Sequence, residues 1–260
     1  MIPNLANVWA RRELIGMLVA RNLKIRYKNS ALGFFWTLLG PLFLILIYTL
    51  FLGILRFKID LPVLITGILV WQFLAMCAGD SLNAIVGNAN LVKKTSFPRV
   101  VLTLSTVLAN GVNFLLSLLV LAVYLIAVRA APGPLGWLPL ALASQFALAL
   151  GLALILSSAN VFFRDTEHIL GTGLTAWFFL TPIIYPVTLL AEVFERMPWI
   201  RMLYFANPMA GIVTCYRRFF LGAPPPPTAP LLISLAVSWG LLAVGWLLFH
   251  RVERRFAEVL

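Results

Sequence analysis

Charged side chains in this 260-residue chain are nearly absent from several long apolar blocks and crowd into the short joins between them. A charge at mid-bilayer costs about 3 kcal/mol even on lenient insertion scales, so a membrane selects this spacing. Hydrophobic residues make up 62% of the chain and charged ones 11%, against roughly 25% charged in soluble domains. A soluble core cannot hide that much apolar surface. The length suits one all-α polytopic domain over residues 1–260, about six spans at roughly 20 residues each, with no room for a separate soluble catalytic domain. The net charge of +11 sits at membrane edges instead of in one patch, which fits anionic lipid headgroups better than nucleic acid. Cys77 and Cys215 lie in apolar surroundings without metal-ligand spacing, and no cleavable signal opens the chain, so the spans themselves must direct insertion.

Residues 6–28 read as an interfacial amphipathic helix, with Ile15, Val19, Leu23 and Tyr27 on one side and Glu13, Arg21, Lys24 and Lys28 on the other. Arg12 and Arg26 intrude on its apolar face and need a partner there. Spans are expected from Ala31 to Leu55, with a kink at Gly40 and Pro41, and from Leu61 to Val86, separated by a join carrying Arg56, Lys58 and Asp60. A basic loop at 87–99 precedes spans at Val100 to Val128 and Leu135 to Phe163, and a charged loop at 164–168 follows them. The apolar block Ile169 to Tyr185 is interrupted by Pro182 and Pro186. Segments near Thr188 to Met197 and Pro208 to Leu221 are too short to span and too apolar to be free loops, so they read as re-entrant or interfacial helices between spans five and six. Pro224 to Pro227 is a stiff linker before the last span, Leu231 to Phe249, and the tail Arg251 to Leu260.

Six spans put both termini on the face of the loops at 87–99 and 164–168, together with 13 of the 20 lysines and arginines. By the positive-inside rule that face is cytoplasmic. No phosphate-binding loop, acid-base pair or nucleophile elbow is present in the sequence, and His168 and His250 lie at helix ends beside charges. Asp80 is the one carboxylate inside an expected span and so a functional candidate, unless it reaches water or a basic partner.

Five stretches in order carry a family resemblance: residues 21–36 (RNLKIRYKNSALGFFW), 88–99 with Asn-Ala-Asn-Leu-Val-Lys-Lys and Phe-Pro-Arg, 161–168 (VFFRDTEH), 178–186 (FFLTPIIYP) and 207–211 (NPMAG). The chain resembles the permease subunits of ABC exporters for lipid-linked polysaccharides, the O-antigen and teichoic acid class. The resemblance implies a bacterial inner-membrane dimer that recruits two ATP-binding subunits, with ATP and magnesium held on those subunits and no cofactor in this chain. It makes Asn90, Lys93, Lys94, Arg99, Arg164, Asp165, Glu167 and His168 elements of two ATPase-coupling loops. It also makes Pro182 and Pro186 the breaks of external gate helices.

Aromatic rings stack on the CH-rich faces of many sugars, so Phe43, Tyr48, Trp177, Phe178, Phe179 and Tyr185 are expected along a sugar path. Their alternative is lipid-facing belt packing. The same architecture could instead export a drug or small lipid. An intramembrane enzyme acting on lipid-linked sugars is the reading from another class, and the lack of convergent acids, histidines or a metal cluster in the sequence argues against it.

Overall fold

The computed structural model describes residues 8–28, 30, 32–55, 60–94 and 97–260. Residues 6 and 7 of the expected first helix, Ala31 at the expected start of the first span, and Arg56 and Lys58 lie outside the described residues.

Among the described residues, five helices are long and apolar enough to cross a membrane by themselves. They are α2 (Trp36–Leu55, continuous through Pro41), α3 (Leu61–Val86), α5 (Val100–Ala127), α6 (Trp137–Phe162) and α11 (Thr228–Val252). The block expected as span five forms only the 15-residue helix α7 (Thr166–Leu180). Its end has a local cause. Pro182 supplies no N–H and clashes with helical backbone before it, so Thr181 turns extended at φ −103°, ψ 143°.

The remaining helices are short. They are α1 (Arg12–Arg26), α4 (Ala89–Lys94), α8 (Ala191–Arg196), α9 (Pro198–Phe205), α10 (Pro208–Leu221) and α12 (Phe256–Val259). α1 docks along α5, and its Arg26 reaches Asp80 on α3. Its expected apolar ladder is only half-buried and Leu18 is its one fully buried side chain, because polar contacts from Arg21, Arg26 and Tyr27 share the seam.

α6 is the centre of the bundle, packed on α3, α10 and α11. Two of its amides bind α3 across the seam: Gln145 Nε2 donates to the Val70 carbonyl at 2.7 Å and Asn160 Nδ2 to the Leu82 carbonyl at 2.8 Å. Side-chain bonds to backbone and close backbone approach hold helices together where lipid removes the hydrophobic incentive. On the far side of α6, Gly151 and Gly245 bring α6 and α11 into backbone contact. A Cβ at Gly151 would lie 2.6 Å from the Leu241 carbonyl carbon.

α10 is buried nearly all round, from Pro208 through Arg217, among α3, α6 and α11. An interfacial helix would keep a wet face, so α10 belongs to the interior. By contrast α2 exposes Leu42, Phe43, Leu46, Ile47 and Leu50, and α7 exposes Ile169, Phe179 and Leu180. At one end of the bundle Phe256 of α12 is fully buried against Phe249 and Phe162, and α12 packs on α4, so the tail folds back onto α4 and the end of α6.

Gly151→Val should cost about 2–4 kcal/mol and lower the melting temperature of the detergent-purified protein, because the α6–α11 backbones must separate. Gly240→Val, whose Cβ meets open space, should leave the melt near that of the parent. Equal shifts would remove the glycine contact as the cause.

Candidate functional site

α7 stops part-way through the bundle. Trp177, one turn before its end, meets Trp71 edge-on at 5.8 Å between ring centroids, and Trp71 lies ten residues, or about 15 Å, into α3. α10 begins at a similar depth and runs back out beside α3, so that Arg217 reaches the carbonyl of Val63. Two half-helices therefore meet inside the bundle, joined by the non-helical stretch 181–186 and the outer helices α8 and α9.

Carbonyls at a helix end inside an apolar bundle lose water and need donors from the protein. Asn207 and Arg217 provide them. Asn207 is the N-cap of α10, where its Oδ1 accepts the Met209 N–H at 3.0 Å and the Trp177 indole N–H at 2.8 Å. Its Nδ2 donates to the Leu180 carbonyl at 3.2 Å and to Thr181 Oγ1 at 2.9 Å. One amide thus answers the donors of one helix start and the acceptors of one helix end, a task for which aspartate lacks the donor.

Arg217 is 4% exposed and donates to three carbonyls, Ile183 at 2.8 Å, Tyr185 at 2.9 Å and Val63 at 3.0 Å. Its planar fork reaches divergent acceptors that a lysine could not serve together. Gly67 gives this arrangement its room, since a Cβ there would come within 2.6 Å of the Ile183 carbonyl oxygen. Tyr185 and Tyr204 share a hydroxyl contact at 3.3 Å.

Of the two expected gate breaks, Pro182 is buried and begins the non-helical stretch, while Pro186 ends it and precedes a short 3-10 turn, Val187–Leu190. The aromatic candidates divide. Trp177 and Phe178 are half-buried, and both pack on Trp71, while Tyr185 is half-buried at the break. Phe43 and Phe179 are exposed at 47% and 64%, with Trp36 beside the first ring and Phe178 edge-on to the second, and Tyr48 is half-buried on α2.

Asp80 faces α1 at the other end of the bundle. It forms an ion pair with Arg26 and accepts the Asn110 Nδ2–H at 2.9 Å, while Arg21 donates to Asn88 Oδ1 at 2.7 Å and Tyr27 to Asn113 Oδ1 at 3.3 Å. Of the two arginines that intrude on the apolar face, Arg12 is exposed, whereas Arg26 thus has its partner in Asp80. Both groups are partly exposed, so the pair contributes less than about 1 kcal/mol on its own.

The two charged loops lie at this same end. Thr166 turns the second one by donating its hydroxyl to the Phe163 carbonyl at 2.6 Å, which leaves Arg164, Asp165, Glu167 and His168 exposed. Asn90, Lys93 and Lys94 on α4 are exposed as well, and none of these seven side chains forms a hydrogen bond or ion pair among the described residues. Arg99 differs from them: its guanidinium donates to the carbonyl of Glu253 at the end of α11, so it ties the tail to the loop.

Residues 13–221 match the model of the ABC-2 type transporter membrane domain. The chain belongs to the ABC-2 type transporter family. It is 34% identical over 257 residues to a protein named O-antigen export system permease protein RfbA from Klebsiella pneumoniae, with 95% of each chain covered. A protein of the same name from Myxococcus xanthus is 34% identical over 265 residues, covering 99% of each.

In this ABC-2 type transporter, sequence reasoning found the break through its prolines and missed the two residues that hold it. Arg217 stands beside Arg218 within the segment 208–221 read as re-entrant or interfacial, and its burial is visible only in three dimensions. The Asn-Pro pair at 207–208 was the available signal, since asparagine before proline marks a helix start.

Replacing Asn207 separates its two tasks. Asn207→Asp keeps the acceptor for Met209 and Trp177 but loses the donor to Leu180, whereas Asn207→Ala loses both. Melting temperatures should fall in the order parent, Asp, Ala, with the alanine variant down by roughly 2–4 kcal/mol. An aspartate variant less stable than the alanine variant would contradict this assignment.

Proposed function

We propose that this chain is the membrane-spanning subunit of an ATP-driven exporter that carries an O-antigen-like, lipid-linked polysaccharide across the bacterial inner membrane. The observation that carries this reading is the near full-length similarity to two proteins named O-antigen export permeases. The transporter role makes the chain itself non-catalytic. Two copies pair, and two separate ATPase subunits bind ATP and magnesium and supply the energy.

The pairing is supported by the bare apolar faces of α2 and α7, which bury little within one copy. Such faces need either lipid or a second copy. In the pair, Phe43 and Phe179 present exposed rings to passing sugar, while Trp177 and Phe178 brace the wall behind them. The sixth crossing is made jointly by α7, the stretch 181–186 and the outer helices that follow, with the α9–α10 hairpin re-entering from the far side. Both termini then lie in the cytoplasm. Cysteines placed at Ser30 and Glu258 should react only with reagent admitted to the inside, and a cysteine at Pro134 with external reagent. External labelling at 258 would leave five crossings and remove the sixth.

The ATPases dock on the exposed side chains of Asn90, Lys93, Lys94, Arg164, Asp165, Glu167 and His168. These side chains have no partner of their own among the described residues and stand on turns braced by the bundle. Reversal of both charges, Arg164→Glu with Asp165→Arg, should cut export at least about tenfold, the worth of about 1.4 kcal/mol of charge-assisted contact. Membrane insertion and α-helix content should stay unchanged. Export at the parent rate in reconstituted vesicles would take this loop out of the coupling.

A further inference from the structure

A cavity of about 360 Å³ lies beside the break, between the start of α3, the segment after Pro186, α9, α10 and the proline run. Val63, Phe194, Phe205 and Leu221 give it apolar walls, and Pro224 to Pro227 close one side with a backbone that offers no N–H donors. Two arginines line the same space. Arg217 spends its two terminal nitrogens on three carbonyls and leaves its Nε–H buried without a partner. Arg201 lies over the Phe194 ring at 5.4 Å, and its terminal nitrogens form no hydrogen bond among the described residues.

Carbonyls solvate a guanidinium but do not neutralise it. Neither arginine forms an ion pair among the described residues, and Asp60, an acid on the lining, is exposed at the rim. An apolar chamber lined by two cations favours an anion that brings its own apolar part, because a free hydrated anion would lose water to greasy walls. Phosphate matches guanidinium donors best.

We propose that this cavity binds the phosphate headgroup of a lipid. The terminal N–H groups of Arg201, which form no hydrogen bond among the described residues, donate to phosphate oxygens, the charge of Arg217 adds attraction from the wall, and the tail leaves along Val63, Phe194 and Leu221. Because Arg217 also holds the carbonyls of Ile183 and Tyr185, an occupied cavity steadies the break. The site stands apart from any cargo assignment, since it is read by binding alone, without transport or an ATPase.

The test uses the full chain purified in a neutral maltoside detergent, with native mass spectrometry and thermal melts read in parallel. The probes are dioctanoyl phosphatidic acid, farnesyl phosphate, dioctanoylglycerol and inorganic phosphate. Arg217 is left intact because it holds the fold, and Arg201→Gln is the variant, with Arg196→Gln, an exposed arginine off the lining, as the control for lost charge. Saturable binding of one phosphate lipid per chain, with a raised melting temperature and affinity about tenfold weaker in Arg201→Gln, supports the site. A preference for phosphatidic acid identifies a bilayer lipid, and a preference for farnesyl phosphate identifies an isoprenoid carrier. Equal binding of dioctanoylglycerol, displacement by inorganic phosphate at equal affinity, or the same loss in Arg196→Gln as in Arg201→Gln would each overturn it.

Discussion

A backbone that leaves its helix inside an apolar bundle must find every hydrogen-bond partner within the protein. At residues 181–186 that requirement falls on two side chains from one later helix, Asn207 at the start of α10 and Arg217 near its end. Their positions explain why α10 is buried rather than wet, and why it runs beside α3. They also explain why Gly67 faces the Ile183 carbonyl. Remove either donor and α7 could not stop where it does without leaving bare carbonyls in an apolar setting, each costing several kcal/mol on the order of a lost buried hydrogen bond.

The rest of the bundle divides by how firmly it is tied. α3, α6 and α11 are joined by amide-to-carbonyl bonds and by the Gly151–Gly245 approach, contacts that tolerate little sliding. α2 and α7 have few such ties and show apolar side chains outward. For a transporter that must open, this contrast places the movable surfaces on the elements that also carry the exposed rings of Phe43 and Phe179.

The apolar blocks were legible because membrane spans are set by composition over long windows, and Leu61 to Val86 has the same ends in the sequence reading and in the structure. The short α7 was legible in Pro182 and Pro186, although hydropathy alone counts the block as a span. What sequence could not reveal were partners far apart along the chain. Arg26 and Asp80 are 54 residues apart, and neither residue's surroundings announce the other. The same holds for Arg217, whose acceptors at Val63 and Ile183 lie in separate segments. Ring chemistry was visible but ring availability was not, since Trp71 covers Trp177 and Phe178 from a helix about a hundred residues upstream.

The order in which the break and its donors are synthesised has a further consequence. Tyr185 leaves the ribosome 32 residues before Arg217, a delay of roughly 2–6 s at ordinary rates of translation. During that interval the Ile183 and Tyr185 carbonyls have no guanidinium to meet, and a 15-residue helix followed by them is a poor candidate for release into lipid. α7 must therefore be held by the insertion machinery, or by water, until α10 arrives. The folding of this segment is a step in which α10 supplies the donors for a break made earlier, at the end of α7.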